Sequence, residues 1–480
     1  MTTTIPDWLA HRADVLPDHE ALIDGDLRMT FRDLNLRVLA LTGALEDAGV
    51  GPGDRVAVLA QNSIELVEAI HAIPRAGAVL VPLNARLTMG ELATQIRDAG
   101  VRLLLCERST EAAARAAAST ASIAVLALPC AGRLPSRPVD THQVDDIHSI
   151  ICTSGTTGRP KGAMLTFGNF WSSAAGSAFN LGVTTDDRWL ACMPLFHVGG
   201  LSIVLRSAIY GTSIVLQRGF DERAVVESLH SDQVTHISVV ASMLQRILDL
   251  DDRRSPPALR VVLVGGGPVP PELLARALDR GFPVLQTYGL TEAASQVTTL
   301  APGEALAHLG SAGKPLVTTQ LRIDALPGDP GEILVGGPTV TPGYFGDDPA
   351  TKAAIPDGWL HTGDIGRLDA DGFLFVLDRR DDLIVSGGEN VYPAEVEAAL
   401  LTFPGIVEAA VVGVPSEQWG LTVAAALVVS GPVASQEVEG WARDRLAAYK
   451  IPRVIRFVDE LPKTASGKIQ RRLVRGLFEV

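Results

Sequence analysis

Four short runs between residues 211 and 289, GTSIVLQ, HISVVAS, LRVVLVGGG and PVLQTYG, constrain the fold more than any other feature. Each is a continuous apolar stretch rich in β-branched residues, the pattern of a strand buried on both faces. Segments at helical spacing separate them. Strands and helices that alternate in this way imply a parallel sheet covered on both sides. The rhythm also runs through residues 29–105. There MTFRDLNLRVLALTGALEDAGV reads as helix up to a Gly-Pro-Gly turn, RVAVLAQ as strand, and SIELVEAIHAIPRAGAVLVPLN as helix, glycine break and strand. Residues 109–146, rich in Ala, Ser and Pro, read as a surface connection with some helix.

Beyond residue 320 the character changes. LRI, GEILVGG and GFLFVLD are short strands joined by Gly, Pro and Asp turns, as in a small β unit. DRRDDL then packs five charges into six residues, after which helix, strand, strand and helix follow again. At 480 residues the chain is too long for one hydrophobic core. The expected class is α/β: a large N-terminal domain of βαβ-rich subdomains plus a small β unit (1–378), a hinge (379–382) and a small mobile α+β C-terminal domain (383–480).

The net charge of −14 argues against a nucleic-acid or anionic-membrane partner, either of which wants a basic face. A polyanionic ligand must then be met by local cations and backbone N–H groups. Cys106, Cys130, Cys152 and Cys192 are scattered without a CxxC pair, so reduced thiols are expected rather than a zinc site or disulfide framework. The N-terminal MTTTIPDWLAHRADVLPDHEAL has no apolar core for a signal peptide, and no stretch is long and apolar enough to span a membrane. The expected location is cytoplasmic.

TSGTTGRPKG (residues 153–162) follows the strand-like HSIIC. Its glycines, hydroxyls and Lys161 suit an anion. A Walker loop, however, needs Lys directly after Gly and then a hydroxyl residue, whereas here Arg159 and Pro160 precede Lys161 and Gly162 follows it. Pro160 also removes an N–H from any cradle. The P-loop reading fails; taken alone, the loop is open to two readings, an anion-binding loop and a Gly-rich turn with no ligand.

With that loop, YGLTEA (Tyr288–Ala293), WLHTGD (Trp359–Asp364), DRRDDLIVSGGENVYPAEVE (Asp378–Glu397) and PKTASGKIQRR (Pro462–Arg472) follow in order. Together they resemble the adenylate-forming superfamily of acyl-CoA synthetases, carrier-protein adenylation domains and luciferases, over essentially the whole chain. The resemblance implies activation of a carboxylate by ATP as an acyl-AMP, with Mg2+, followed by transfer to a thiol such as coenzyme A. It implies that Thr153, Ser154, Gly155, Thr156, Thr157, Gly158 and Lys161 hold the β- and γ-phosphates, and that Glu292 binds magnesium. Tyr288, with Gly289 and Thr291 beside it, would stack on adenine against Gly265, Gly266 and Gly267. Asp364 would accept the ribose hydroxyls with Arg379 nearby. Lys468 would enter from the C-terminal domain for adenylation. Asp381 would be the pivot, and Ser386, Gly387 and Gly388 would line the pantetheine channel.

Residues 193–217, 237–248, 261–274, 286–300 and 309–316 look like the o-succinylbenzoate–CoA ligase family of menaquinone biosynthesis. That likeness implies an acid with a second, aromatic carboxylate, which needs a buried cation or several donors. Arg206, in the apolar run LSIVLRSAIY, is the candidate partner, although a helix could equally turn it to solvent. His197 would border the acyl pocket as a gate, with Ser242, Ser295, Gln296 and Thr298 as further hydrogen-bonding candidates. A CoA ligase for another aryl, dicarboxylic or medium-chain acid, or an adenylation enzyme that loads a carrier protein, stays open. The expected partners are a small-molecule carboxylic acid, ATP and CoA, with no nucleic acid and no membrane, and a homo-oligomer is left open.

Overall fold

The four β-branched runs form the strands Ser213–Leu216, His236–Val239, Val261–Val264 and Val284–Leu290. The structure, a computed structural model, describes residues 3–479 apart from 88, 131, 154–160, 268, 380–383, 387–388, 392, 417–419, 447 and 465–466, and gives the backbone alone at 378, 379, 385, 389, 390, 395 and 420. The expected α/β class holds. The chain divides into two compact units, residues 1–321 with 334–361, and residues 322–333 with 362–480.

Among the described residues of the first unit, nine strands form one sheet. Glu20–Asp24, Ser213–Leu216, Arg188–Ala191, His236–Val239, Val261–Val264 and Val284–Leu290 are neighbours in that order and run parallel. Helices supply its cover through residues three and four apart. Leu244, Ile247 and Leu248 of Ala241–Leu250, and Leu273, Leu274 and Ala277 of Pro271–Asp279, join Ile237, Val239, Val262 and Val264 in one core. Each fully buried Leu or Val contributes roughly 1.5–3 kcal/mol. At one edge Ser295–Thr299 turns back antiparallel onto Val284–Leu290.

A second, six-stranded sheet of the same unit has Arg55–Leu59, Val79–Leu83, Leu103–Glu107 and Ala124–Leu128 parallel. It ends in the antiparallel hairpin of Ile147–Thr153 and Lys161–Thr166. This corrects part of the expectation for residues 109–146. Glu111–Ala121 is a packed helix with Ala114, Ala117 and Ala118 fully buried, and the strand Ala124–Leu128 adds to the sheet. An alanine face at helical spacing buries well, yet its composition looks like a linker.

In the second unit, Ile406–Ser416 and Gly420–Val429 form a long antiparallel hairpin. One face packs Val411, Val423, Ala425 and Leu427 against Val396, Leu400, Val438 and Ala442. The opposite face packs Val412, Val414, Ala424 and Ala426 against Leu461 and Val474. No helix among the described residues is long and apolar enough to cross a membrane.

Candidate active site

Parallel strands deliver their carboxyl ends to one edge, where α/β sheets bind ligands. The candidates collect at that edge of the nine-stranded sheet. Arg188–Ala191 leads to His197, His236–Val239 to Ser242, Val261–Val264 to Gly265–Gly267, and Val284–Leu290 carries Tyr288 and leads to Thr291 and Glu292. Gly289 is obligatory there: a Cβ would lie 1.6 Å from the Ser295 carbonyl oxygen. Its absence lets Ser295–Thr299 fold back with Ser295 opposite Leu290, Gln296 opposite Gly289 and Thr298 opposite Tyr288. Thr298 Oγ1 donates to the Ala312 carbonyl at 2.8 Å, so its hydroxyl proton serves the fold. Just after Glu292, where this strand begins, Ala294 and Ser295 hold positive φ, 52° and 96°. Such backbone is strained for non-glycine residues by about 1–3 kcal/mol each, and strain of this kind clusters at functional sites.

The hairpin brings Thr153 and Lys161 opposite each other, with Thr153 Oγ1 donating to the Lys161 carbonyl at 3.3 Å. Ser154, Gly155, Thr156, Thr157 and Gly158 lie outside the described residues. The Lys161 ammonium sits 5.1 Å from the centroid of the Tyr344 ring, over its face. The Tyr344 hydroxyl donates to Glu292 Oε1 at 3.0 Å. Burial and the neighbouring Glu292 charge push the phenol well above its ordinary range, so it stays a donor. Cys152, next in the hairpin, is pushed up to about 12 by burial and carries no thiolate.

Arg206 lies on the buried face of the helix Val198–Tyr210, at 4% exposure, which settles the alternative of a solvent-facing side chain. Its Nη2 donates to Ser173 Oγ at 3.3 Å, and Ser173 Oγ donates in turn to the Ala294 carbonyl at 2.6 Å. Its guanidinium carbon is 5.8 Å from the Trp189 ring centroid. Among the described residues no carboxylate pairs with it and Nε has no partner. Burial lowers its pKa from the ordinary arginine value. His197 caps the start of the same helix, half-buried, with its ring 4.4 Å from that of Phe196. Ser242 is exposed in the first turn of Ala241–Leu250.

Residues 9–345 match the model of the AMP-binding enzyme family, and residues 395–468 match that of the AMP-binding enzyme C-terminal domain. The chain belongs to the AMP-binding enzyme family. It is 46% identical over 489 residues to the 2-succinylbenzoate–CoA ligase of Geobacillus sp. (strain WCH70), covering 100% of this chain and 98% of the relative. Its fold is similar to that of o-succinylbenzoate CoA synthetase from Bacillus subtilis in complex with the acyl-adenylate intermediate OSB-AMP, with a TM-score of 0.94, 41% identity and 98% of each chain covered. The same synthetase in complex with ATP and magnesium ion gives a TM-score of 0.93 at 41% identity, covering 98% of this chain and 99% of that one.

The second unit of this AMP-binding enzyme carries the remaining candidates. Asp364 is buried on the strand Leu360–Leu368, in register with Arg379, whose side chain is not described. The Asp364 N–H donates to Thr362 Oγ1 at 3.0 Å, and Gly363 N–H to Glu332 Oε1 at 2.9 Å, which braces the turn. Ser386 is buried opposite Glu389. Lys468 is exposed on a turn closed by the Thr464 N–H to the Lys468 carbonyl at 2.8 Å. Asp381, Gly387 and Gly388 lie outside the described residues.

Glu292 suits magnesium in an AMP-binding enzyme. Magnesium keeps several waters and takes one or two carboxylates plus phosphates rather than a protein cage. Glu292 offers such a carboxylate, and among the described residues its Oε2 carries no hydrogen bond. Two residues that sequence reasoning missed stand here, Tyr344 and Ser173. The first sits in TPGYFG, which reads as a plain Gly/Pro turn, and the second in an ordinary helix, so neither gave a signal.

Proposed function

We propose that this AMP-binding enzyme is an ATP-dependent ligase that adenylates 2-succinylbenzoate and transfers the acyl group to coenzyme A. The observation that carries this reading is the full-length likeness to 2-succinylbenzoate–CoA ligase at 46% identity. The buried, uncompensated Arg206 supports the choice of an acid with a second carboxylate.

In the first half-reaction the succinyl carboxylate attacks the α-phosphate of ATP, an acyl-phosphate bond forms and pyrophosphate leaves. Two anions meet, so the site must offset their repulsion with preplaced charge. Lys161 and the hydroxyls of Ser154, Thr156 and Thr157 hold the β- and γ-phosphates. Tyr288 stacks on adenine beside Gly265–Gly267, Asp364 accepts the ribose hydroxyls beside Arg379, and Lys468 approaches the reacting oxygens. Glu292 would hold magnesium, which when bound would supply positive charge near the pyrophosphate leaving group. Arg206 pairs with the aromatic carboxylate, with Gln296, Ser295 and Ser242 as lesser donors and His197 at the pocket mouth. In the second half-reaction the CoA thiol loses its proton and attacks the acyl carbonyl, and AMP leaves. A swivel of the domain 383–480 about Asp381 exchanges Lys468 for the channel of Ser386, Gly387 and Gly388. The four free cysteines suit a reducing compartment, and we place the enzyme in the cytoplasm.

Pyrophosphate release over a panel of acids, with mass detection of the CoA thioester, tests the substrate. Preference for an unrelated acid, or a thioester on a carrier protein only, overturns it. Lys468→Ala is expected to lower acyl-AMP formation at least 100-fold while leaving thioesterification of supplied acyl-AMP within about threefold, since the lysine serves one half-reaction only. Equal loss in both half-reactions removes the domain exchange.

A further inference from the structure

We infer that Tyr344 is a positioning residue for the first half-reaction, holding Lys161 and Glu292 beside one another while keeping them from pairing. This rests on the roles given above to Lys161 at the phosphates and Glu292 at magnesium. A cation and a carboxylate within reach of one another in a half-buried site would ordinarily close into an ion pair. Neither would then be available to a phosphate or a metal. Here Lys161 and Glu292 share a neighbour, yet neither forms an ion pair with the other or, among the described residues, with any further side chain. The face of the Tyr344 ring takes the ammonium and its hydroxyl takes one carboxylate oxygen, so each charge is oriented by a neutral group. Phenylalanine would keep only the first contact.

The backbone fixes the tyrosine for this task. Tyr344 forms a bridge with Ala163, Phe345 N–H donates to the Gly162 carbonyl at 2.8 Å, and Met164 N–H donates to the Gly343 carbonyl at 3.0 Å. Tyr344 N–H donates to Thr351 Oγ1 at 2.9 Å. On the other side, Thr341 N–H donates to the Glu292 carbonyl at 2.7 Å. Residues 341–345 therefore clip the turn that carries Glu292 to the strand that begins at Lys161. They join two sheets that share no strand pairing at this point. Groups that orient a metal-binding side chain typically change metal affinity 10- to 100-fold when removed.

Calorimetric titration of ATP at stepped magnesium concentrations tests the inference without any acid substrate. For Tyr344→Phe the magnesium concentration that half-saturates the gain in ATP affinity is expected to rise about tenfold, with metal-free ATP affinity within about twofold of the parent, a check that the site is folded. In the double variant with Glu292→Gln the tyrosine change is expected to add nothing, because it acts through that carboxylate. An unchanged magnesium requirement in Tyr344→Phe, or additive losses in the double variant, overturns the inference. A parent protein whose ATP binding ignores magnesium overturns the assignment of Glu292 itself, while the identity of the acid leaves this titration untouched.

Discussion

Arg75 and Arg206 are buried to almost the same degree, 3% and 4% exposed, but their surroundings differ. Arg75 lies 3.8 Å from Asp7 and 3.1 Å from Asp140, and it donates to Asn35. Arg206 has one serine hydroxyl and the neighbourhood of an indole. Taking a guanidinium out of water is expensive, and a charge that serves the fold brings its counter-charge with it. Asp7 shows the arrangement from the other side. Burial pushes its carboxyl up, but the His142 hydrogen bond and the Arg75 charge outweigh that and hold it below its ordinary value. A buried cation without a carboxylate is better understood as half of a pair whose other half arrives with the ligand. The comparison separates a structurally paired arginine from the one proposed to bind the acid, although both stand in apolar helical runs.

The comparison breaks if the two positions respond alike. The largest effect is expected at the paired site. Arg75→Met leaves Asp7 buried without its cation and should lower unfolding free energy by about 3–5 kcal/mol in urea denaturation, with Michaelis constants unchanged in the folded enzyme. A loss below about 1 kcal/mol would make Arg75 dispensable. Arg206→Met should do the reverse. The KM for 2-succinylbenzoate is expected to rise about 50-fold, as for a lost charge-assisted hydrogen bond, with the KM for ATP within about twofold. Stability should hold or improve, because an unpaired buried charge is removed. An unchanged KM would take Arg206 out of the pocket. Ser173→Ala sharpens the contrast at the smallest scale. It removes the hydroxyl that aims Arg206 and should raise the same KM about fivefold, the scale of one neutral hydrogen bond; an equal rise in the KM for ATP would point to a general distortion instead.

Much of this was legible from the chain. β-branched runs at the right spacing mark the buried strands, because a strand covered on both faces admits no polar alternation. Local motifs bring Tyr288, Glu292 and the GGG of Gly265–Gly267 to strand ends, and the fold has them there. What failed was composition standing in for packing. The alanines of residues 109–146 look like linker, but Ala114, Ala117 and Ala118 form a helix face that packs closely because their side chains are small. Tyr344 and Ser173 escaped for a different reason, since nothing in TPGYFG or in the helix Phe167–Leu181 distinguishes them locally.

The sequence by itself determined the α/β class and the family, and it supplied the motifs proposed to meet the nucleotide, because hydrophobic period and contiguous motifs are local properties. Only the tertiary structure decided which charges are compensated. Whether Arg206 meets a carboxylate, or Lys161 pairs with Glu292, depends on residues 33 to 183 positions away in the chain. Those neighbours are set by how two sheets and their helices pack, which no local pattern encodes.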